Sequence, residues 1–125
     1  MLEILHVDDE PDIREVAAMS LGLDPAINVR SVSSGAEALD ALAGDWRPNV
    51  IMLDVMMPGL DGPGTLEQIR SLPDYEATPV IFMTARAQAH EQSRLIGLGA
   101  IAVIIKPFDP MTLAELVRSH LASPS

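Results

Sequence analysis

Four short stretches carry most of the residues in this chain that could do chemistry: Asp8-Asp9-Glu10, Asp54, Thr84 and Lys106-Pro107. Each stands at the end of a short apolar run. Asp54 is the hardest to dismiss as a solvated surface acid, because Val50-Ile51-Met52-Leu53 precede it and Val55-Met56-Met57 follow. A carboxylate among apolar neighbours needs a partner or a ligand to offset its desolvation. Three carboxylates (Asp8, Asp9 and Asp54) held ~4 Å apart at an effective dielectric of ~20 repel by roughly 4 kcal/mol per pair, about 12 kcal/mol gross. A divalent cation at a similar distance returns roughly 24 kcal/mol gross with the same three, so the ion outweighs the repulsion. Oxygen-only ligands select a hard cation, and a small ligand set with room for water and phosphate suits Mg²⁺ better than Ca²⁺. Lys106, the only lysine in the chain, and the Thr84 hydroxyl would then complete a phosphoryl site.

Such a site requires elements that bring distant residues to one place. Five apolar runs (Leu2–Val7, Ile27–Val32, Val50–Leu53, Val80–Met83 and Ala102–Ile105) read as buried strands. Helical patterns separate them. Ile13, Val16, Ala17, Ser20 and Leu21 fall on one helix face, and Leu113, Leu116, Val117, His120 and Leu121 repeat the spacing. Ser34-Gly35-Ala36-Glu37 is a capping-box pattern. Pro11, Pro63 and Pro110 each suit a first helical turn, with Asp109 placed to cap the last helix. The stretch from Gln88 to Arg94 is almost all polar, with apolar side chains only at Leu95, Ile96 and Leu98. That predicts either a short surface helix or one held loosely enough to shift. Alternating strands and helices imply an α/β fold: a doubly wound, five-stranded parallel sheet of order 2-1-3-4-5 with five helices, flavodoxin-like. Its functional crevice lies at the carboxyl ends of the strands, where the four stretches converge.

Composition narrows the partners. The chain has 125 residues, 18 acidic against 8 basic side chains, a net charge of −10 and no cysteine. One domain is expected, spanning 1–122, with Ser123-Pro124-Ser125 as a tail or linker stub. Disulfides and thiolate zinc sites are excluded. The negative charge argues against direct nucleic-acid binding or an anionic membrane surface. No run reaches the ~18 apolar residues of a membrane span, and charges arrive too early for a signal peptide. A cytoplasmic location is the expectation.

The set Asp8-Asp9, Leu53-Asp54-Val55-Met56-Met57-Pro58-Gly59-Leu60-Asp61-Gly62, Thr84-Ala85 and Lys106-Pro107-Phe108 resembles the signature of response-regulator receiver domains, over essentially the whole chain. The resemblance implies a two-component or phosphorelay switch rather than an enzyme turning over a diffusing substrate. Its only catalysis would be its own phosphoryl transfer and a slow autodephosphorylation. Asp54 would accept a phosphoryl group from a sensor histidine kinase or histidine phosphotransfer protein. Asp8, Asp9, Asp54 and the Met56 carbonyl would hold Mg²⁺, Asp8 largely through water. Thr84 and Lys106 would bind the phosphoryl oxygens, and the Lys106-Pro107 bond would be cis. Output would pass to a partner protein, an output domain or a phosphorylation-dependent homodimer.

The chain departs from that family's pattern in places. Val103 stands where many receivers carry Tyr or Phe, three residues before the lysine, so the usual aromatic swing is missing. Ile101 is more apolar than the acidic residues common there; strand burial and an apolar output face both account for it. Met56 would shield the phosphoryl group, while Arg86 would either contact it or point into solvent. His6, His90 and His120 read as structural, and Met52, Met56, Met57 and Met83 as packing. Other readings of the same residues fit less well. A metal-dependent phosphatase would place a second acid where Met56 stands, and a flavin module would avoid Asp8-Asp9-Glu10 in its phosphate loop. A docking module that no longer answers to phosphate is the remaining alternative.

Overall fold

The computed structural model describes residues 1–122. Ten elements alternate: β1 (Leu2–Val7), α1 (Pro11–Leu21), β2 (Ile27–Val32), α2 (Gly35–Leu42), β3 (Val50–Asp54), α3 (Gly62–Arg70), β4 (Val80–Thr84), α4 (Ala89–Gly97), β5 (Ala102–Ile105) and α5 (Leu113–Ala122). Every strand pair is parallel and the sheet order is β2-β1-β3-β4-β5. This is the doubly wound, flavodoxin-like arrangement expected from the alternation. The tail suggested at 123–125 lies outside the described residues.

Strand side chains alternate between two cores. Leu5, Val7, Ile51, Leu53 and Phe82 meet Ala38, Leu66, Ile69 and Leu95 beneath α2, α3 and α4. On the opposite face Ile4, Met52, Ile81, Met83 and Ile104 meet Ala17, Leu21, Leu113 and Val117 from α1 and α5. A sheet covered on both sides explains why the strands are apolar without interruption. Met52 and Met83 are packing residues, as expected, whereas Met56 is 64% exposed.

Local signals account for most helix starts. Ser34 Oγ accepts from Glu37 N–H at 3.1 Å, while the Glu37 carboxylate returns to Ser33 N–H at 2.7 Å. Asp61 caps α3 by accepting from Gly64 N–H at 2.8 Å, and Pro11 opens α1. The last helix differs from expectation. Asp109 does not cap it: its carboxylate accepts from Met111 N–H and its carbonyl from Thr112 N–H, closing a turn. That turn holds Pro110 outside the helix, which begins at Leu113. Val16 and Leu116 also leave the helix faces assigned to them, at 40% and 37% exposure, because Ala17, Leu21, Leu113 and Val117 already fill the contact.

Candidate functional site

Two strands run one residue further than their apolar runs. Asp54 pairs with Met83 and Thr84 with Ile105, so the aspartate and the threonine are the last ladder residues of β3 and β4. Lys106 N–H donates to the Thr84 carbonyl at 2.7 Å, extending the register and fixing where the lysine leaves β5. The Lys106-Pro107 bond is cis. Gly62 closes the other side: its N–H donates to the Val55 carbonyl at 3.0 Å, and a Cβ there would lie 2.4 Å from the Asp54 carbonyl oxygen. Only glycine lets α3 start this close to the end of β3.

Asp8, Asp54 and Lys106 meet directly, while the close carboxylate cluster is Asp8, Asp9 and Glu10 and not the expected Asp8, Asp9 and Asp54. Lys106 Nζ lies 3.0 Å from Asp54 Oδ1 and 3.4 Å from Asp8 Oδ2, with Asp8 fully buried and Asp54 3% exposed. Asp8, Asp9 and Glu10 can each place a carboxylate oxygen within 4.8 Å of the others. Arg14 on α1 donates to the Asp8 carbonyl at 2.7 Å and holds this turn in place. Glu10, Ile13, Asp54, Met56, Thr84, Ala85, Lys106 and Pro107 line a cleft of about 310 Å³.

Burial is the main reason that the Asp54 carboxyl titrates high, at about 6 from an ordinary 3.8; the Lys106 hydrogen bond opposes this and the Asp8 charge adds to it. Burial alone would lower Lys106, but the hydrogen bond and charge of Asp54, aided by Asp8, hold it above its ordinary value. Asp9 Oδ1 is buried with no hydrogen-bond partner. An orphaned carboxylate oxygen beside further acids fits a hard cation, and the oxygen-only donor set has the right chemistry for one.

Sequence reasoning gave no positioning role to Gly62, which shapes the β3–α3 corner, or to Glu91. Glu10, at the end of the first acidic stretch, joins the acidic cluster, and Arg86 neither enters the cleft nor stands free. Arg86 Nη1 reaches Glu91 Oε2 at 3.5 Å, and Glu91 in turn holds Arg94. The Glu91-to-Arg94 spacing, i to i+3 on one helix, was the available signal. His6 is buried in β1 with neither ring nitrogen paired, and His90 is exposed. Val103 packs half-buried against the core under α4, and no aromatic stands at that position.

The structure thus combines a parallel doubly wound sheet with buried acids, a lysine and a hydroxyl gathered at its carboxyl edge. The family model of the response regulator receiver domain matches residues 4–118, and the chain belongs to that family. It is 34% identical over 121 residues to response regulator Rre1 of Synechocystis sp., covering 97% of this chain and 52% of that protein. The transcriptional regulatory protein CseB of Streptomyces coelicolor is 35% identical over 118 residues, covering 94% of this chain and 48% of CseB. Among solved structures, chemotaxis protein CheY4 of Vibrio cholerae superposes with a TM-score of 0.84 at 31% identity, covering 94% of this chain and 97% of that one. The chain spans between 26% and about half of the length of the first curated relatives it matches. As a receiver domain it is a phosphorylation-dependent switch of two-component signalling. Among the described residues no helix is long and apolar enough to cross a membrane.

Proposed function

We propose that Asp54 is the phosphoryl acceptor, and that residues 1–122 form the receiver domain. The observation that carries this reading is the buried Asp54 carboxylate with Lys106 Nζ 3.0 Å away, at the edge of an open cleft. Asp54 attacks the phosphorus of a phosphohistidine on a sensor kinase or phosphotransfer protein. The new O–P bond forms as the N–P bond breaks, and its electron pair stays on the donor imidazole. Lys106 and the Thr84 hydroxyl take the phosphoryl oxygens and neutralise charge on the transferring group. Asp8, Asp9, Asp54 and the Met56 carbonyl would hold Mg²⁺, which would supply charge neutralisation when bound; Glu10 belongs to the same acidic cluster. The chain's own chemistry ends with acceptance and a slow release of phosphate to water. Its setting is the cytoplasm.

Output passes to a partner or a linked domain. The exposed Ile96, Leu98 and Ile101 beside β5 offer an apolar face, suited also to a second phosphorylated copy. The reading is tested by mass spectrometry after acetyl phosphate treatment, with and without Mg²⁺. One phosphoryl group on Asp54, dependent on Mg²⁺ and lost in Asp54→Ala, is the expected result. Unmodified wild-type protein would remove the acceptor role and favour a phosphate-independent docking module. Size measurement on the same samples decides whether phosphorylation drives self-association.

A further inference from the structure

Glu91 is an unusual residue for the first turn of a surface helix: it is 7% exposed and, with Leu95, makes up the whole buried contribution of α4. Its carboxylate is shared unequally. Arg94 donates through Nε at 2.9 Å and Nη2 at 2.5 Å to one oxygen, whereas Arg86 touches the other through Nη1 alone at 3.5 Å. The Arg86 side chain is 60% exposed. Its backbone N–H donates to the Thr84 hydroxyl at 3.1 Å. Arg86 is therefore bound weakly at its tip to α4 and firmly at its base to the group that flanks Asp54.

From this we propose that Arg86 is an exchangeable positioning residue: phosphorylation of Asp54 draws its guanidinium from Glu91 to the phosphoryl group and so loosens the first turn of α4. The proposal rests on Asp54 being the acceptor. Acceptor capacity favours the exchange, since Lys106, the Thr84 hydroxyl and a cation leave lone pairs on the phosphoryl oxygens for a further donor. A phosphoryl group carries nearly two negative charges and three strong acceptors, while Glu91 offers one charge already neutralised by Arg94. When Arg86 leaves, the buried Glu91 keeps two hydrogen bonds and is not left as an orphaned charge. Few apolar contacts hold α4, so the loss of one polar tether is enough to shift its population. The device needs no aromatic rotation, which suits a chain with Val103 at that position.

Beryllofluoride binding in the presence of Mg²⁺ tests the exchange, with Arg86→Ala and Glu91→Gln compared with wild type. Arg86→Ala should raise the half-saturating concentration about threefold, as expected for one partly exposed charge pair. Glu91→Gln should lower it, because it removes the competitor and keeps the shape. Hydrogen exchange of the α4 first-turn amides should rise on beryllofluoride binding in wild type and already be high in unliganded Glu91→Gln. Arginine side-chain NMR should show the Arg86 guanidinium signals moving on binding while those of Arg94 stay in place. If both variants weaken binding alike, or neither changes it, the pair is a static clamp and the exchange is overturned. Wild-type protein that takes no beryllofluoride would instead overturn the acceptor reading itself.

Discussion

The two ends of the sheet treat polar groups in opposite ways. At the amino ends, Glu3 accepts from Asn28 Nδ2 at 2.6 Å and from Trp46 Nε1 at 3.4 Å, while its backbone exchanges two 2.7 Å bonds with Asn49. Arg30 lies over the Trp46 ring at 4.3 Å and Arg47 over Tyr75 at 5.5 Å. Arg70 donates to the carbonyls of Tyr75 and Thr78 at 3.0 and 2.7 Å. At the carboxyl ends, two buried aspartates share one lysine, and an Asp9 oxygen is buried without a partner. One end is satisfied within the chain. The other holds its charges at a cost in stability, which a ligand can relieve.

The sharpest way to break this contrast is Asp54→Asn. Acetyl phosphate labelling should disappear, and the metal-free protein should become more stable. Asp54 titrates at about 6 in the fold against 3.8 unfolded, so its ionisation disfavours the folded state at neutral pH. The stability associated with its neutral form is full below 3.8 and lost as pH rises through 6. The amide should therefore gain about 2 kcal/mol at pH 7, somewhat under the ~3 kcal/mol linkage figure because Lys106 loses a partner. Denaturant unfolding without Mg²⁺ checks this, and the gain should vanish near pH 4. A less stable variant at pH 7 would show that Asp54 is not held under strain.

His6 makes the pH test more informative. Burial lowers its imidazole from 6.5 to about 4, so its contribution is full above 6.5 and lost as pH falls through 4. Asp54 gains across nearly the same window in which His6 loses. In wild type the two slopes largely cancel; in Asp54→Asn the His6 slope stands alone. Stability of the variant should fall more steeply than wild type between pH 6.5 and 4. Parallel curves would contradict the opposed pair.

Trp46→Ala addresses the satisfied end. Losing a half-buried ring, its Glu3 bond and the Arg30 contact should cost about 2 kcal/mol. Beryllofluoride affinity should not change, because these contacts lie at the other end of the sheet from Asp54. A large affinity loss would show that the two ends are coupled.

The sequence made the strand ends legible because the sheet topology follows from alternation, and topology alone brings Asp8, Asp54, Thr84 and Lys106 together. What it hid was local. Asp109 has the right chemistry for a cap, but an equally suitable turn took it, moving the α5 start to Leu113. The Glu91–Arg86 pair depends on the path of an irregular loop, which no periodicity records. The burial of Glu91 depends on it too. Met56 looked like core by composition but lies outside because the chain turns away after β3.

Lys106→Arg alters the strained end without removing charge. The ammonium is compact and reaches both Asp8 and Asp54; a planar guanidinium has a different span and a fixed fork. Phosphorylation by acetyl phosphate should slow about tenfold while the fold is retained. An unchanged rate would mean that charge at this position suffices and its placement does not matter.

Met56→Asn should have the smallest effect and separates shielding from charge. Met56 lines the cleft and is 64% exposed, so it can cover the approach of water without carrying structural load. An amide of smaller volume opens that approach and can itself hydrogen-bond an incoming water. The labelled phosphoryl group should decay about three times faster, a difference near 0.7 kcal/mol, with stability within about 0.5 kcal/mol of wild type. Equal decay rates would assign protection of the acyl phosphate to the bound cation and Lys106 alone. Faster decay with unchanged Mg²⁺ affinity would assign part of it to the methionine side chain, leaving its carbonyl free to bind the ion.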